Sequence, residues 1–182
     1  MAPVPQRMAG LTLLELLITI TILTITISLS APTLMSVVSE NQLSTTTKLL
    51  ARTVSFSKAE AIKRGRRVVM CLSKSTTACD SEAAKYVLVF EDSDQTGNPT
   101  QDKALVRTLK LNASVIAVSY NRSFLAFSSR GYASGTNGTF KICHRNGNGE
   151  LLVISTLGRA RQAVDYDGDG LVDKVPGQPI SC

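Results

Sequence analysis

The feature that most constrains this chain is an apolar stretch near its amino terminus that holds a single charged residue. Residues 11–38 contain Glu15 and otherwise no charge, and their other polar side chains are those of Thr and Ser. Hydroxyls of these two types bond back to helix carbonyls, so a helix in lipid tolerates them. The 28 residues, at about 1.5 Å each, exceed the ~20 that a membrane-spanning helix needs. The sequence therefore predicts a helix that crosses a membrane.

A ten-residue leader, residues 1–10, precedes this stretch and carries one positive charge, Arg7. By the positive-inside tendency Arg7 stays in the cytoplasm, which places the chain beyond residue 38 outside it. A secretory signal peptide would need a shorter apolar run and a clear cleavage site, which residues 28–32 offer only weakly. Neither that reading nor a plain signal anchor explains Glu15, since a carboxylate in the membrane interior costs roughly 2.5–3.5 kcal/mol. The charge therefore indicates a function for this helix.

The residues around Glu15, GLTLLEL at 10–16, resemble the type III prepilin signal of type IV pilins and type II secretion pseudopilins. The resemblance implies that a prepilin peptidase cleaves between Gly10 and Leu11 and methylates Leu11, although Phe is commoner than Leu at that position. It places Glu15 where the family carries a glutamate, and Pro32 where many pilins carry a helix-kinking proline. In a fibre, Glu15 would pair with the cationic amino terminus of a neighbouring subunit.

A helical pattern continues over residues 40–65 and is followed by a change of period. Leu43, Leu50, Val54 and Ala61 recur at helical spacing, and Gly65 predicts the end of one helix beginning at Leu11. Seven later runs predict strands, at 66–72, 85–92, 104–111, 114–120, 124–128, 139–145 and 150–156. They leave no room for crossover helices, so the sheet is expected to be mostly antiparallel.

We therefore predict an α+β fold of the pilin type, in which a long N-terminal helix packs on a mostly antiparallel head. Residues 1–10 form the leader, 11–38 the membrane and assembly half of the helix, 39–65 its amphipathic half, and 66–182 the β-rich head. The phrase ARTVSFSKAEAIKRGRRVVMC, residues 51–71, followed by many strands, most resembles minor pilins of the FimT/FimU type and the related GspH pseudopilin.

The four cysteines lie in the part of the chain that is expected outside the cytoplasm, where disulfides form. Four cysteines allow three pairings. Cys71 and Cys79 flank a short loop and are predicted to pair, which leaves Cys143 to hold the terminal Cys182. Zinc thiolates are a poor alternative, because the spacing matches no zinc site.

The stretch LGRARQ, residues 157–162, is the first that suggests a binding function. If it is extended, Arg159 and Arg161 lie on one face about 6.8 Å apart, so that they can meet separate phosphates. The GRxR pattern resembles the motif by which FimT-type pilins bind DNA in natural transformation. That resemblance implies salt-sensitive, sequence-independent binding of double-stranded DNA through Gly158, Arg159 and Arg161.

Four further cations are candidates to extend this surface: Lys63, Arg64, Arg66 and Arg67. Their position near a helix C-terminus is also explained by the helix dipole. For Arg159 and Arg161 the alternatives are a solvated strand edge or a contact to a neighbouring pilin. The net charge of +6 decides nothing by itself, since solubility alone accounts for it.

The stretch DYDGDGLVD, residues 165–173, follows the spacing of a calcium loop as far as its ninth position. The candidate ligands are Asp165, Asp167, Asp169 and Asp173. The bidentate Glu of an EF-hand is missing, because the twelfth position is Pro176, and an acidic turn without metal is the alternative. These carboxylates would repel DNA from Arg161 unless calcium offsets their charge.

The sequence thus predicts a minor pilin near the tip of a type IV pilus that binds DNA for uptake. Before assembly it is expected to be single-pass in the inner membrane with a periplasmic head, and later part of the surface pilus. Its expected partners are other major and minor pilins, the prepilin peptidase, the inner-membrane assembly machinery and double-stranded DNA. A structural priming or tip subunit without DNA binding, and a GspH-like pseudopilin of a type II secretion system, are the alternatives. With one His and no triad, we expect no enzyme, and no required cofactor beyond possible calcium.

Overall fold

The computed structural model describes residues 12–80, 84–99, 105–133, 135–165, 173–175 and 178–182, without the side chains of 29–33, 173–175 and 178–179. The chain divides into two compact units, Met1–Val38 and Ser39–Cys182. One helix, α1, covers Leu13–Arg64 and so contributes to both units.

The beginning of α1 is capped by Thr12. Its hydroxyl accepts a hydrogen bond from the backbone N–H of Glu15 at 3.2 Å, and its carbonyl accepts the first helical bond, from Leu16. Thr-x-x-Glu is the capping-box pattern, and a carboxylate in the first turn also favours the positive end of the helix dipole. Glu15 therefore has a local role that its membrane context did not suggest. The predicted start at Leu11 lies outside the described residues.

Within the first unit, hydroxyls bond back to carbonyls one turn earlier, as the sequence predicts. Thr19 donates to Leu16, and Ser28 to Thr24, at 2.8 and 2.7 Å. Among the described residues, no helix is both long enough and apolar enough to cross a membrane. Pro32 falls within α1, but its side chain is not among those described. The kink expected there stays a prediction.

The end of α1 is set by Gly65, as predicted. Gly65 has a φ of +64°, a left-handed conformation that favours glycine. Its N–H donates to the Ile62 carbonyl, and the N–H of Arg66 reaches back to Ala61, both at 3.2 Å. This pair of bonds is the Schellman motif, which satisfies carbonyls that the helix would leave free.

The seven predicted strands are all present, and three short ones follow them. They are β1 Val68–Ser73, β2 Tyr86–Glu91, β3 Leu105–Lys110, β4 Ile116–Tyr120, β5 Leu125–Phe127, β6 Thr139–His144, β7 Gly149–Ile154, β8 Ala160–Gln162, β9 Asp173–Val175 and β10 Gln178–Pro179. Two four-stranded sheets form, in the orders β3-β2-β1-β5 and β4-β6-β7-β8, with a separate β9-β10 ribbon. The pairings are antiparallel, as predicted, but the strands divide between two sheets where we expected one.

The main core joins α1 to both sheets. The predicted helical stripe of Leu43, Leu50, Val54 and Ala61 is buried, each residue being at most 3% exposed. Facing strands contribute apolar side chains such as Val89 from β2 and Ile142 from β6 to the same cluster. All described core residues lie in the unit Ser39–Cys182, so this unit contains the apolar contacts that a folded head requires.

Both predicted disulfides form. Cys71 in β1 pairs with Cys79, and Cys143 in β6 pairs with Cys182, each with Cα atoms 5.6 Å apart. The second bridge holds the end of the chain against the sheet, where Nζ of Lys141 donates to the Ser181 carbonyl at 3.3 Å. A Cβ at Gly149 would collide with Sγ of Cys182. The glycine thus makes room for this bridge.

Candidate nucleic-acid interface

The predicted arginine motif lies at an edge of the second sheet, where Gly158 and Arg159 directly precede strand β8. Arg161 is opposite Val153 of β7, and Ala160 is opposite Ile154. Ala160 packs against the core, whereas Arg159 and Arg161 on either side of it are exposed. The structure therefore gives the alternation that the sequence analysis required, with both arginines directed away from the core.

A tight turn before β8 fixes where Arg159 begins. Gly158 is buried with a φ of +70°, and its N–H donates to the Ser155 carbonyl at 2.8 Å. A Cβ on Gly158 would lie 2.6 Å from Cε1 of Phe127 and 3.0 Å from the carbonyl oxygen of Gly131. The glycine of the GRxR motif is thus required by this packing, whatever the arginines bind.

Neither arginine of the motif has a carboxylate partner among the described residues. The ion pairs formed there involve other cations, and the Arg159 hydrogen bonds join backbone atoms to Ser155. Next to them, Gln162 donates to Glu150 at 2.8 Å. Two exposed guanidiniums at a strand edge, with no carboxylate partner in the described part of the chain, can meet an external anion.

The four cations proposed to extend this surface are placed differently, because each faces a carboxylate. Lys63 and Arg64 pair with Glu60 at 3.6 and 2.7 Å, Arg66 with Glu91 at 2.8 Å, and Arg67 with Asp92 at 3.3 Å. The hydrogen bond from Arg64 lowers the pKa of Glu60 and raises the pKa of Arg64 in return. Three carboxylates thus offset most of the charge of these four residues.

Asp92 is the one of these carboxylates that is fully buried. It accepts hydrogen bonds from the backbone N–H of Gly97 at 3.1 and 3.3 Å, in addition to its pair with Arg67. The guanidinium of Arg67 also lies 5.6 Å from the centre of the Phe124 ring. Arg67 is therefore committed to the structure of the head. No local sequence pattern indicates this pairing, since residues 67 and 92 are distant along the chain.

The predicted calcium loop lies largely outside the described residues. Asp165 is described and half-buried, whereas Asp167 and Asp169 are not described, and only the backbone of Asp173 is, as the first residue of β9. Over the described part of the chain, no three potential metal ligands of the His, Cys, Asp or Glu type come together. The calcium site remains a prediction from the sequence.

A cation of α1 that lies outside the predicted site, Lys58, contacts the turn before the motif. The ammonium of Lys58 on α1 donates to the carbonyl of Leu157 at 2.7 Å. This bond ties the helix to the segment that precedes Arg159. No local pattern predicts it, because 99 positions separate the two residues.

Comparison with solved structures identifies the fold. Two crystal structures of the type IV minor pilin FimU from Pseudomonas aeruginosa PAO1, in space groups P21 and P65, match with TM-scores of 0.54 and 0.51. Both are 20% identical to the chain. The matches cover 69% and 67% of this chain, and 90% and 93% of the FimU chains. At this identity the likeness establishes the pilin fold and no more.

Family models then identify the family. The model of type II transport protein GspH matches residues 46–158, which is more than half of the chain, and the prokaryotic N-terminal methylation motif matches residues 5–31. A search of curated proteins found no significant match. The chain belongs to the GspH family and has the pilin fold, as its sequence predicts. The family match ends at Gly158, so it does not include Arg159 or Arg161.

Proposed function

We propose that this minor pilin is processed at Gly10, assembles into a type IV pilus, and binds double-stranded DNA through Arg159 and Arg161 for uptake. The observation that carries the DNA role is the pair of exposed guanidiniums, Arg159 directly before the edge strand β8 and Arg161 within it, which meet no carboxylate among the described residues. The four cations at the end of α1 and directly before β1 meet carboxylates, so a phosphate backbone would be attracted to Arg159 and Arg161 above that group.

Processing and assembly rest on the N-terminal region. The methylation-motif match includes Gly10, Leu11 and Glu15, the residues at which we place cleavage, methylation and pairing with a neighbour. The apolar sequence of residues 11–38 would hold the subunit in the inner membrane, with a periplasmic head, before it enters the fibre. The prepilin peptidase, the assembly machinery and other pilins are the partners that this route requires.

DNA binding of this kind would be independent of sequence and steeply sensitive to salt. Two arginines at a strand edge would contact phosphates, and phosphate contacts carry no information about the bases. Releasing counterions from each neutralised phosphate would contribute about 0.9 to the slope of log affinity against log salt. A pilus that collects DNA from the environment needs contacts of this general type.

A second role fits the same fold. The matching family model bears the name of a type II transport protein, which favours a pseudopilin of a secretion system as the alternative. A priming or tip subunit that uses Arg159 and Arg161 to contact another pilin is the other. Neighbouring genes would distinguish a pilus operon from a secretion operon, and DNA binding would distinguish a receptor from a structural subunit.

Calcium is proposed to regulate access to the arginines. The acidic residues 165–173 begin four positions after Arg161, and bound calcium would offset their repulsion of phosphates. Chelation at fixed ionic strength should then weaken DNA binding, which calcium but not magnesium should restore. Equal DNA affinity with and without calcium would eliminate this regulation and leave the arginine site intact.

The decisive experiment measures binding of the head, residues 39–182 with both disulfides intact, to a random 30-base-pair duplex by fluorescence anisotropy. The double variant Arg159→Gln, Arg161→Gln should lose most of the affinity. A control that removes equal charge, Lys110→Gln with Arg145→Gln, changes exposed residues of β3 and of the turn after β6. If the wild-type head fails to bind at low salt, or if both double variants behave alike, the DNA role is wrong.

A further inference from the structure

Two turns of the head have the same construction, and the second of them leads into the arginine motif. The first is Ser-Ser-Arg-Gly-Tyr at 128–132 and the second Ser-Thr-Leu-Gly-Arg at 155–159. We call them the twin turns. In each, the serine carbonyl accepts a hydrogen bond from the glycine N–H, at 2.8 Å in both. Each glycine has a positive φ, +79° at Gly131 and +70° at Gly158.

The remaining bonds of the twin turns also correspond. The N–H of each serine donates to the carbonyl of the fifth residue, Tyr132 at 2.9 Å and Arg159 at 3.0 Å. The serine hydroxyl accepts the N–H of that fifth residue, at 3.2 Å in both turns. A three-residue loop with glycine in the left-handed position is a standard tight connection. Both turns are therefore held by three hydrogen bonds, which fixes the positions of the residues they present.

The twin turns contact each other and α1. The N–H of Ala133, directly after the first turn, donates to the Thr156 carbonyl of the second at 2.9 Å. The Gly131 carbonyl oxygen lies close to Gly158, since it would be 3.0 Å from a Cβ added there. From α1, the ammonium of Lys58 donates to the Leu157 carbonyl of the second turn. The two turns and the helix thus form one packed surface.

Together the twin turns present two arginines. Arg130 is the third residue of the first turn and Arg159 the fifth of the second, and both are exposed. Since each is adjacent to one of the contacting glycines, their Cα atoms are at most about 15 Å apart at 3.8 Å per residue step. Like Arg159, Arg130 has no carboxylate partner among the described residues. Side chains of this length therefore reach neighbouring phosphates of one duplex.

The geometry points to Arg130 as a further DNA-binding residue, so that the twin turns and β8 form one phosphate-binding surface of Arg130, Arg159 and Arg161. This inference rests on the proposed function and extends it to a turn about thirty positions earlier in the chain. Tyr132 and Leu157, 45% and 51% exposed, lie on the same surface. An arginine beside exposed apolar groups also suits a protein partner, but three charges that meet no carboxylate among the described residues favour a polyanion.

The test compares salt slopes for duplex binding by the disulfide-intact head, residues 39–182. The variant Arg130→Gln should reduce the slope of log affinity against log salt by about 0.9, and Arg159→Gln with Arg161→Gln by about 1.8. The triple variant should combine both losses. Arg145→Gln, the same change at an exposed position on the turn after β6, should leave the slope unchanged.

The outcomes separate the two claims. If Arg130→Gln matches the Arg145→Gln control while the double variant loses binding, the extended surface is wrong and the proposed function stands. If the wild type does not bind DNA, both fail. If Arg130→Gln leaves DNA binding unchanged but weakens association with purified partner pilins, the twin turns form a subunit interface and the inference is overturned.

Discussion

Two groups of cations on the head differ in how their charges are balanced. The first group lies between the last turn of α1 and the start of β1, at residues 63–67. Its cations meet Glu60, Glu91 and Asp92 within 3.6 Å. Those on the twin turns and β8 meet no described carboxylate. The first group includes more positive charges in a shorter stretch of sequence, yet each of its cations pairs with a carboxylate. The density of positive charge along a sequence therefore does not show which cations meet a carboxylate in the fold.

The largest effect should come from removing Asp92, the buried carboxylate that pairs with Arg67. Asp92→Ala would leave Arg67 and the Gly97 N–H without their carboxylate, and removal of one partner of a buried pair costs about 3 kcal/mol. We expect this loss in chemical denaturation of the head, with no change in the salt slope of DNA binding at a temperature where the variant is folded. An Asp92→Ala variant as stable as wild type would mean that the pair of Arg67 with Asp92 does not stabilise the head.

The comparison is sharpest when two charges are removed from each group in turn. Loss of two phosphate contacts corresponds to roughly 60-fold weaker DNA binding at 0.1 M salt, extrapolated from a 1 M reference. We expect this for Arg159→Gln with Arg161→Gln, and less than about threefold for Arg66→Gln with Arg67→Gln, whose charges are already offset. Stability should change in the opposite order. Similar losses of affinity in both variants would show that total charge, and not pairing, decides where DNA binds.

A smaller loss of stability is expected from a change at Gly158, in the turn that positions Arg159. Gly158→Ala places a methyl group against Phe127 at a positive φ, which should cost about 1–2 kcal/mol of stability. DNA affinity should fall as well, because Arg159 is the next residue. Gly135→Ala is the matched control, since that glycine also has a positive φ but no atom within 4 Å of the added Cβ. Equal destabilisation by both changes would remove the packing argument for Gly158.

The smallest effect concerns pH at the end of α1. The pKa of Glu60 is lowered by its hydrogen bond from Arg64, so its contribution to stability is present above its ordinary pKa of 4.5. That contribution disappears as the pH falls through the lowered value. Thermal unfolding of wild type and Glu60→Gln should therefore differ at pH 6 and converge at about pH 3. A difference that persists at low pH would contradict an electrostatic role.

Local chemistry accounts for what the sequence predicted. The helix end followed from Gly65, the seven strands from their apolar runs, and the disulfides from cysteine spacing, each signal lying within a few residues of its effect. The division of the strands into two sheets could not be read this way, because the pairing of β1 with β5 joins residues far apart in sequence. The same limit applies to the cations. Arg66 and Arg67 are indistinguishable from Arg159 and Arg161 until Glu91 and Asp92 are brought beside them.

The disulfide between Cys143 and Cys182 has a mechanical consequence. Strand β8 lies at an edge of its sheet, and an edge strand with a loose chain end yields to a pulling load by peeling, one hydrogen bond at a time. Here Cys182 is tied to β6 by its disulfide, so β7 and β8 lie within a covalently closed loop. If Arg159 and Arg161 bind DNA as proposed, a load on them is shared by two covalent paths, one through β7 and the other through the disulfide.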